Sequence, residues 1–233
     1  MCGRFVRRRS SSTLADAFRV NHISDDLQPS FNVAPTHNVA VVLDDCARQL
    51  VSMRWGLIPS WVSDPTIGSK LINARAETLT QKTAFKIAFR NRRCLVVADG
   101  FYEWQKQNGT KIPLLIQLKS ERPFGFAGLY ETWTSLSGES VPTCTILTTE
   151  PNEIVRPIHD RMPVILPKDV EDFWLDSSIE DHRRLLDLLL PYPAEEMEAF
   201  AVSTLVNSVK NDFIACVEPA QLCRSSPDSS DNG

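Results

Sequence analysis

Apolar positions along the chain change their spacing from stretch to stretch, and the spacing marks the elements. In SSTLADAFRV, Leu14, Ala17 and Phe18 recur at helical intervals behind a serine, which predicts a capped helix. VAVVL and LVSMRWGL have the length and apolar character of strands. QKTAFKIAFRNRR returns to the helical period and ends on arginines, as the carboxyl end of a helix favours. CLVVADGFYEWQK and IPLLIQL flank Asn108-Gly109, a favoured two-residue turn, and read as one long hairpin. PFGFAGLYETW and PTCTILTTE continue the strands, and RMPVIL adds another. PKDVEDFWL and IEDHRRLLDLLL read as acidic helices, and FIACVEPA as a closing strand. Strands come in groups with helices between the groups and no regular alternation. That order predicts an α+β fold, a single β-rich domain with a mainly antiparallel sheet or distorted barrel and flanking helices. No linker interrupts residues 2–219. Residues 220–233, with RSSPDSSDNG at the end, have almost nothing to bury and read as a disordered tail.

Composition changes this picture little, and charge distribution changes it more. The 233 residues are 42% hydrophobic and 23% charged, as in ordinary globular domains. Net charge is −4, so no nucleic-acid role follows from the balance alone. From Met1 to Ala15 there is no acid, but Arg4, Arg7, Arg8 and Arg9 are present. From Lys70 to Arg93 there are seven Lys/Arg and one acid, Glu77; from Asp169 to Phe200, ten acids and two arginines. Such asymmetry can make a basic face on an acidic protein, with phosphate as its usual partner. No apolar run approaches a membrane span or a secretory signal, so a cytoplasmic protein without membrane contact is expected. The six cysteines lack CxxC spacing and read as reduced thiols. The four histidines show no HxxxH or HExxH, so neither metal nor cofactor is expected. No apolar helix seam is evident, so a monomer is expected.

Four polar stretches interrupt apolar surroundings: FNVAPT, LINARAET, ADGFYEW and IHDRMP. Taken singly, each has an ordinary explanation. Asn73 could cap a helix, Arg75 and Glu77 could form a surface pair, Glu103 could face solvent, and His159 could be a satisfied turn residue. Cys2 gives the combination a chemical meaning. If Met1 is removed, Cys2 carries an α-amine and a thiol two carbons apart. Such an aminothiol condenses with an aldehyde to an imine, and the thiol then closes a thiazolidine. The amine has a reference pKa of ~7.7–8.0, so about a tenth is neutral near pH 7. A carboxyl among aromatics, such as Glu103 between Tyr102 and Trp104, suits the proton transfers, because desolvation raises its pKa. A histidine can protonate a sugar oxygen during ring opening.

Together these stretches resemble the SOS response-associated peptidase (SRAP) family, whose members crosslink to abasic sites in single-stranded DNA. MCGRF, FNVAPT, WGLIPSW, LINARAET, ADGFYEW, IHDRMP and VNSVKND occur in the family's order, from Cys2 to about Pro219. The resemblance implies self-processing that exposes Cys2, followed by thiazolidine formation with the deoxyribose aldehyde. It implies that Asn73 positions the amine and sugar, Glu103 is the general acid/base, and His159 acts on the sugar oxygen. It implies DNA contacts from Arg4, Asn32, Trp61, Arg75 and Arg161. Val62 follows Trp61 where some members carry a second aromatic. The family would act at the nucleoid in a bacterium or in the nucleus of a eukaryote, and β-elimination of the strand could compete. A conventional cysteine peptidase using Cys2 and His159, and a non-covalent single-strand-binding module, are the alternative readings.

Overall fold

The computed structural model describes residues 2–220. Met1 and nearly all of the tail expected to be disordered, from residue 221 on, lie outside the described residues. Seventeen strands and α-helices follow in chain order. They are β1 (Phe5–Arg7), α1 (Ser11–Phe18), β2 (His22–Ile23), β3 (Ser30–Val33), β4 (Asn38–Asp44), β5 (Arg48–Trp55) and β6 (Asn73–Arg75). Then come α2 (Thr83–Asn91), β7 (Arg93–Ala98), β8 (Gly100–Gln107), β9 (Thr110–Leu118), β10 (Phe124–Thr134) and β11 (Ser140–Thr149). β12 (Met162–Pro163), α3 (Glu171–Leu175), α4 (His182–Leu186) and β13 (Met197–Ala201) complete the set.

The fold is α+β, as the grouping of strands predicts. One sheet runs β13-β9-β8-β1-β3. The other runs β12-β11-β10-β7-β4-β5-β2, with β6 beside β11. A parallel pairing of β5 with β11 closes β4, β5, β11, β10 and β7 into a five-stranded barrel. β4 shows why the strand run VAVVL is apolar at every position. Ala40 and Val42 pack towards the helices with Leu14, Phe85, Phe89 and Trp174, whereas Val39, Val41 and Leu43 pack with Phe5, Phe101 and Ile116 of the first sheet. Both faces are buried, so the alternation disappears. No helix among the described residues is long and apolar enough to cross a membrane.

Four elements differ from expectation, each for a local reason. CLVVADGFYEWQK is not one strand but breaks at Asp99, with β7 in one sheet and β8 in the other. The Asp99 carboxylate, 2% exposed, accepts the Arg8 N–H at 2.6 Å and pairs with Arg9, which fixes the crossing. Periodicity cannot reveal such a break, because the apolar pattern continues across it. The arginine-rich end of α2 also divides. Arg90 stays in the last turn, whereas Arg93 begins β7 and turns its guanidinium back onto the carbonyls of Phe89, Arg90 and Trp174. IEDHRRLLDLLL keeps only the five helical residues of α4, capped by the Asp181 side chain. FIACVEPA is not a strand; Ile214–Cys216 form a 3₁₀ turn, and only Pro219 bridges to Val202. The Tyr102 hydroxyl donates to the Cys216 carbonyl at 3.3 Å and to the Phe31 carbonyl at 2.7 Å, holding that turn against β3.

The loop between β5 and β6 starts at Gly56, whose φ is +128°. A Cβ there would lie 2.5 Å from the Gly68 carbonyl oxygen. The 3₁₀ turn Pro65–Lys70 thus packs directly on the end of β5, and Trp133 Nε1 donates to the Val62 carbonyl at 2.8 Å. These contacts fix the loop that carries Trp61. Gly56→Ala should therefore lower unfolding free energy by about 2–3 kcal/mol in denaturant titration. Gly109→Ala, at φ +79° but with open space around the site, should cost only about 1 kcal/mol. Equal losses would show that the Gly56–Gly68 contact contributes nothing beyond backbone strain.

Candidate active site

β1 is short, but its register decides where the chain's first residues lie. Phe5 pairs with Phe101 and Val6 with Gly100, and the Tyr102 N–H reaches the Arg4 carbonyl at 2.9 Å. Continued two residues toward the terminus, this antiparallel register brings Cys2 and Gly3 alongside Glu103 and Trp104. Cys2 has no exposed surface and packs with Phe5, Val33 and Trp55. Its thiol sits 3.9 Å from the Arg4 carbonyl. Burial pushes the thiol pKa up, and the Glu103 charge adds to the effect.

Asn73 reaches Cys2 from the other sheet. β6 runs parallel to β11, with Asn73 opposite Ile146 and Arg75 opposite Thr148. Side chains alternate along a strand, so Asn73 and Arg75 share a face while Ala74 points into the core. Asn73 Nδ2 donates to the Cys2 carbonyl at 2.8 Å. Its Oδ1 is buried and makes no hydrogen bond with any described residue. A buried acceptor left in that state costs about 1–3 kcal/mol, so it is poised for a donor.

Glu103 is 6% exposed on β8. Burial raises its pKa to about 7, and the negative charge of Asp160 pushes in the same direction. His159 lies in the turn before β12, which pairs with the end of β11. Burial lowers its pKa, so the ring is neutral at pH 7. Nδ1 accepts the Arg161 N–H at 3.0 Å, which leaves the neutral ring's proton on Nε2. The same Nδ1 lies 2.9 Å from Asp160 Oδ1, a contact that becomes an ion pair only when the ring is charged.

The expected DNA-binding residues divide into exposed and engaged groups. Arg75 is exposed, and Trp61 is 53% exposed. Both line a cavity of about 690 Å³ together with Asn73, Thr78, Lys82 and Thr83. Arg161 instead makes a bidentate pair with Glu77, at 2.7 and 2.9 Å, and donates to the Thr148 carbonyl at 2.6 Å. Arg4 donates to Asn32 Oδ1 at 2.6 Å and to the Val206 carbonyl at 2.8 Å, with its guanidinium 5.7 Å from the Trp104 ring centre. Asn32 has no exposed surface, and its amide donates to the carbonyls of Val206, Ser208 and Asn211. It anchors the segment after β13, which carries VNSVKND. His159 lines a separate cavity of about 460 Å³ with Arg156, Glu150 and Asp160. Cys2 and Glu103 line neither cavity.

Four residues at the site were given no role of their own by the sequence reading. Asp160 acts on both His159 and Glu103; its position beside the histidine is the only sequence signal. Trp104 packs under Arg4 and donates to Asn207 at 2.7 Å, a contact across 103 residues. Lys82 and Thr83 enter the cavity wall from the basic run that the charge pattern marks.

Residues 1–209 match the family described as SOS response associated peptidase (SRAP). The chain is 49% identical over 216 residues to the Bacillus subtilis protein named abasic site processing protein YoaM, covering 91% of this chain and 95% of that one. It is 36% identical over 226 residues to the Xenopus tropicalis abasic site processing protein HMCES, covering 83% of this chain and 67% of that one. A crystal structure of a Bacteroides thetaiotaomicron protein superposes with a TM-score of 0.83 at 27% identity, covering 90% of this chain and 97% of that one.

The electrostatic reading of Glu103 has a direct check. Its side-chain carboxyl should titrate near pH 7 by carbon NMR, and Asp160→Asn should move the midpoint down by removing a like charge. A midpoint near the ordinary carboxylate range in the unaltered protein would show that the site is wetter than its burial indicates.

Proposed function

Because this chain belongs to the SOS response associated peptidase family, we propose that it binds single-stranded DNA and captures abasic sites covalently through Cys2. The observation that carries this reading is one arrangement: Asn73 holds the Cys2 carbonyl at 2.8 Å beside a buried carboxyl with a pKa of about 7. The names of the relatives, which refer to abasic-site processing, support the substrate.

While Met1 is attached, the Cys2 nitrogen is an amide and cannot form an imine. Hydrolysis of the Met1–Cys2 bond consumes one water and frees the amine. The amine adds to C1′ of the open-chain deoxyribose aldehyde, giving a carbinolamine. Loss of hydroxide with a proton from Glu103 releases water and leaves a protonated imine and the Glu103 carboxylate. The thiol then adds to it: sulfur bonds to C1′, the C=N π pair returns to nitrogen, the thiol proton goes to the Glu103 carboxylate, and the neutral thiazolidine closes. A carboxyl that titrates near neutrality serves as acid in one step and base in the next. Asn73 Oδ1, buried without a partner, is an acceptor for the new amine. His159 carries its proton on Nε2 and hydrogen-bonds it to the ring oxygen as the sugar opens, while the proton released by the C1′ hydroxyl passes through water to that oxygen.

A conventional cysteine peptidase needs an accessible thiolate. Here burial, reinforced by the Glu103 charge, raises the thiol pKa and disfavours the thiolate. In the proposed sequence the amine reacts first, and the sulfur attacks a carbon already bonded to its own residue, so prior ionisation matters less. Arg75 and Trp61 supply a phosphate contact and a stacking face in the adjoining cavity.

Incubation with single-stranded DNA bearing one abasic site should give a shifted band on a denaturing gel, absent in Cys2→Ala. A band that survives Cys2→Ala would identify another amine as the nucleophile and overturn the proposal. Glu103→Gln should slow crosslinking or its reversal by roughly 100-fold, with nearly unchanged affinity, and should remove the limb of the pH profile centred near 7. Arg75→Ala should weaken binding instead and reduce the log–log salt slope by about 0.7.

A further inference from the structure

Arg75 accounts for only one of the seven basic residues between Lys70 and Arg93. α2 explains where three more lie. Phe85, Ala88 and Phe89 form its buried face. Lys82, at its amino-terminal cap, and Lys86 and Arg90 are exposed on the opposite side. They recur every four residues, so each step rises about 6 Å along the axis. That spacing is of the order of the distance between successive phosphates in an extended strand. None of the three side chains forms a hydrogen bond or ion pair with any described residue. Arginines elsewhere that have a carboxylate beside them are neutralised: Arg19 and Arg48 by Asp172, Arg92 by Glu131, and Arg161 by Glu77.

The stripe is continuous with the cavity already described. Lys82 and Thr83 form its wall together with Trp61, Asn73 and Arg75. A polyanion seated there meets Arg75, then Lys82, and then a ridge of unpaired charge leading away. We propose that the single strand on one side of the lesion leaves the cavity along the exposed face of α2, with consecutive phosphates on Lys82, Lys86 and Arg90. The inference rests on the abasic-DNA reading for the lesion, but the ridge itself recognises only phosphodiester backbone. Single-stranded nucleic acid is the occupant because half-exposed Trp61 offers a stacking face that only an unpaired base can take. An acidic protein segment would satisfy the charges but leave that face unused.

The test uses the full chain and a Lys82→Ala, Lys86→Ala, Arg90→Ala triple variant. All three positions are exposed, and a thermal melt verifies that the variant is folded. Binding to an undamaged single-stranded oligonucleotide is measured by anisotropy across a salt series. The variant should lose affinity at least about tenfold at low salt, and its log–log slope should flatten by about 2, one contact per removed charge. With abasic oligonucleotides trimmed from either end, crosslinking by the unaltered protein should slow when one particular flank is removed, and the variant should be insensitive to that flank. An unchanged slope together with unchanged flank dependence overturns the ridge. If the unaltered protein forms no crosslink yet the slope flattens with undamaged DNA, the lesion chemistry falls and the ridge stands.

Discussion

The site depends on one constraint: a three-residue strand is pinned between two others, so the chain's beginning cannot move independently of Glu103. β1 pairs with β3 on one side and β8 on the other. Its Phe5 packs edge-on against Trp55 and Phe126, at 5.2 and 5.9 Å between ring centres. The amino terminus of a domain ordinarily frays. Here the residues just after it lie between strands and in aromatic packing, so Cys2 is held as firmly as a core residue. Both sheets contribute, since Glu103 comes from β8 and Asn73 from β6, on the edge of β11. Their meeting at Cys2 is a consequence of how the sheets pack.

That arrangement carries energetic costs that make chemical sense together. Glu103 is desolvated, which disfavours its ionised form. Asn73 keeps an unfilled buried acceptor, and Cys2 is buried as a thiol. In a merely structural core such features would be replaced by apolar residues of similar shape. Clustered around one backbone carbonyl, they are the groups that the proposed capture of an aldehyde would use. Asp160 links the parts, because its charge raises the carboxyl pKa and stands ready to pair with His159 if that ring becomes cationic. The histidine's two Nδ1 neighbours favour opposite protonation states. The Arg161 N–H suits the neutral ring, and Asp160 suits the charged one.

Much of this was legible in the residues. The α+β class followed from the order of strand and helix signals, and the Asn108-Gly109 turn from its dipeptide, both residues taking positive φ. LINARAET stood out as a polar stretch in apolar surroundings, but nothing in it announced the short strand on which Asn73 and Arg75 share a face. What stayed hidden was long-range. Nothing local shows that β7 and β8 belong to different sheets, because an aspartate inside an apolar run reads as an interruption rather than a crossing. Nor could spacing show that Asn32 faces inward. FNVAPT reads as a turn and its asparagine as exposed, yet Asn32 lies on β3 with its amide bonded to three carbonyls more than 170 residues away. Arg4 and Arg161 were hidden in the same way, since their partners come from distant parts of the chain.

Those engaged arginines sharpen the electrostatic logic. A guanidinium committed to carboxylate or carbonyl partners holds the fold and offers less to an incoming phosphate than a free one. Arg161, forked onto Glu77 and Thr148, fixes the loop carrying His159, so breaking that fork to grip a phosphate would loosen the residue it positions. Arg75 and the stripe on α2 carry no such commitment to any described residue. A protein with net charge −4 repels a polyanion at long range, and attraction then has to be local and unneutralised. Concentrating free cations along one cavity and one helix meets that requirement. On the proposed reading it also divides the work: paired arginines hold the fold around the site, and cations without such partners would meet the strand.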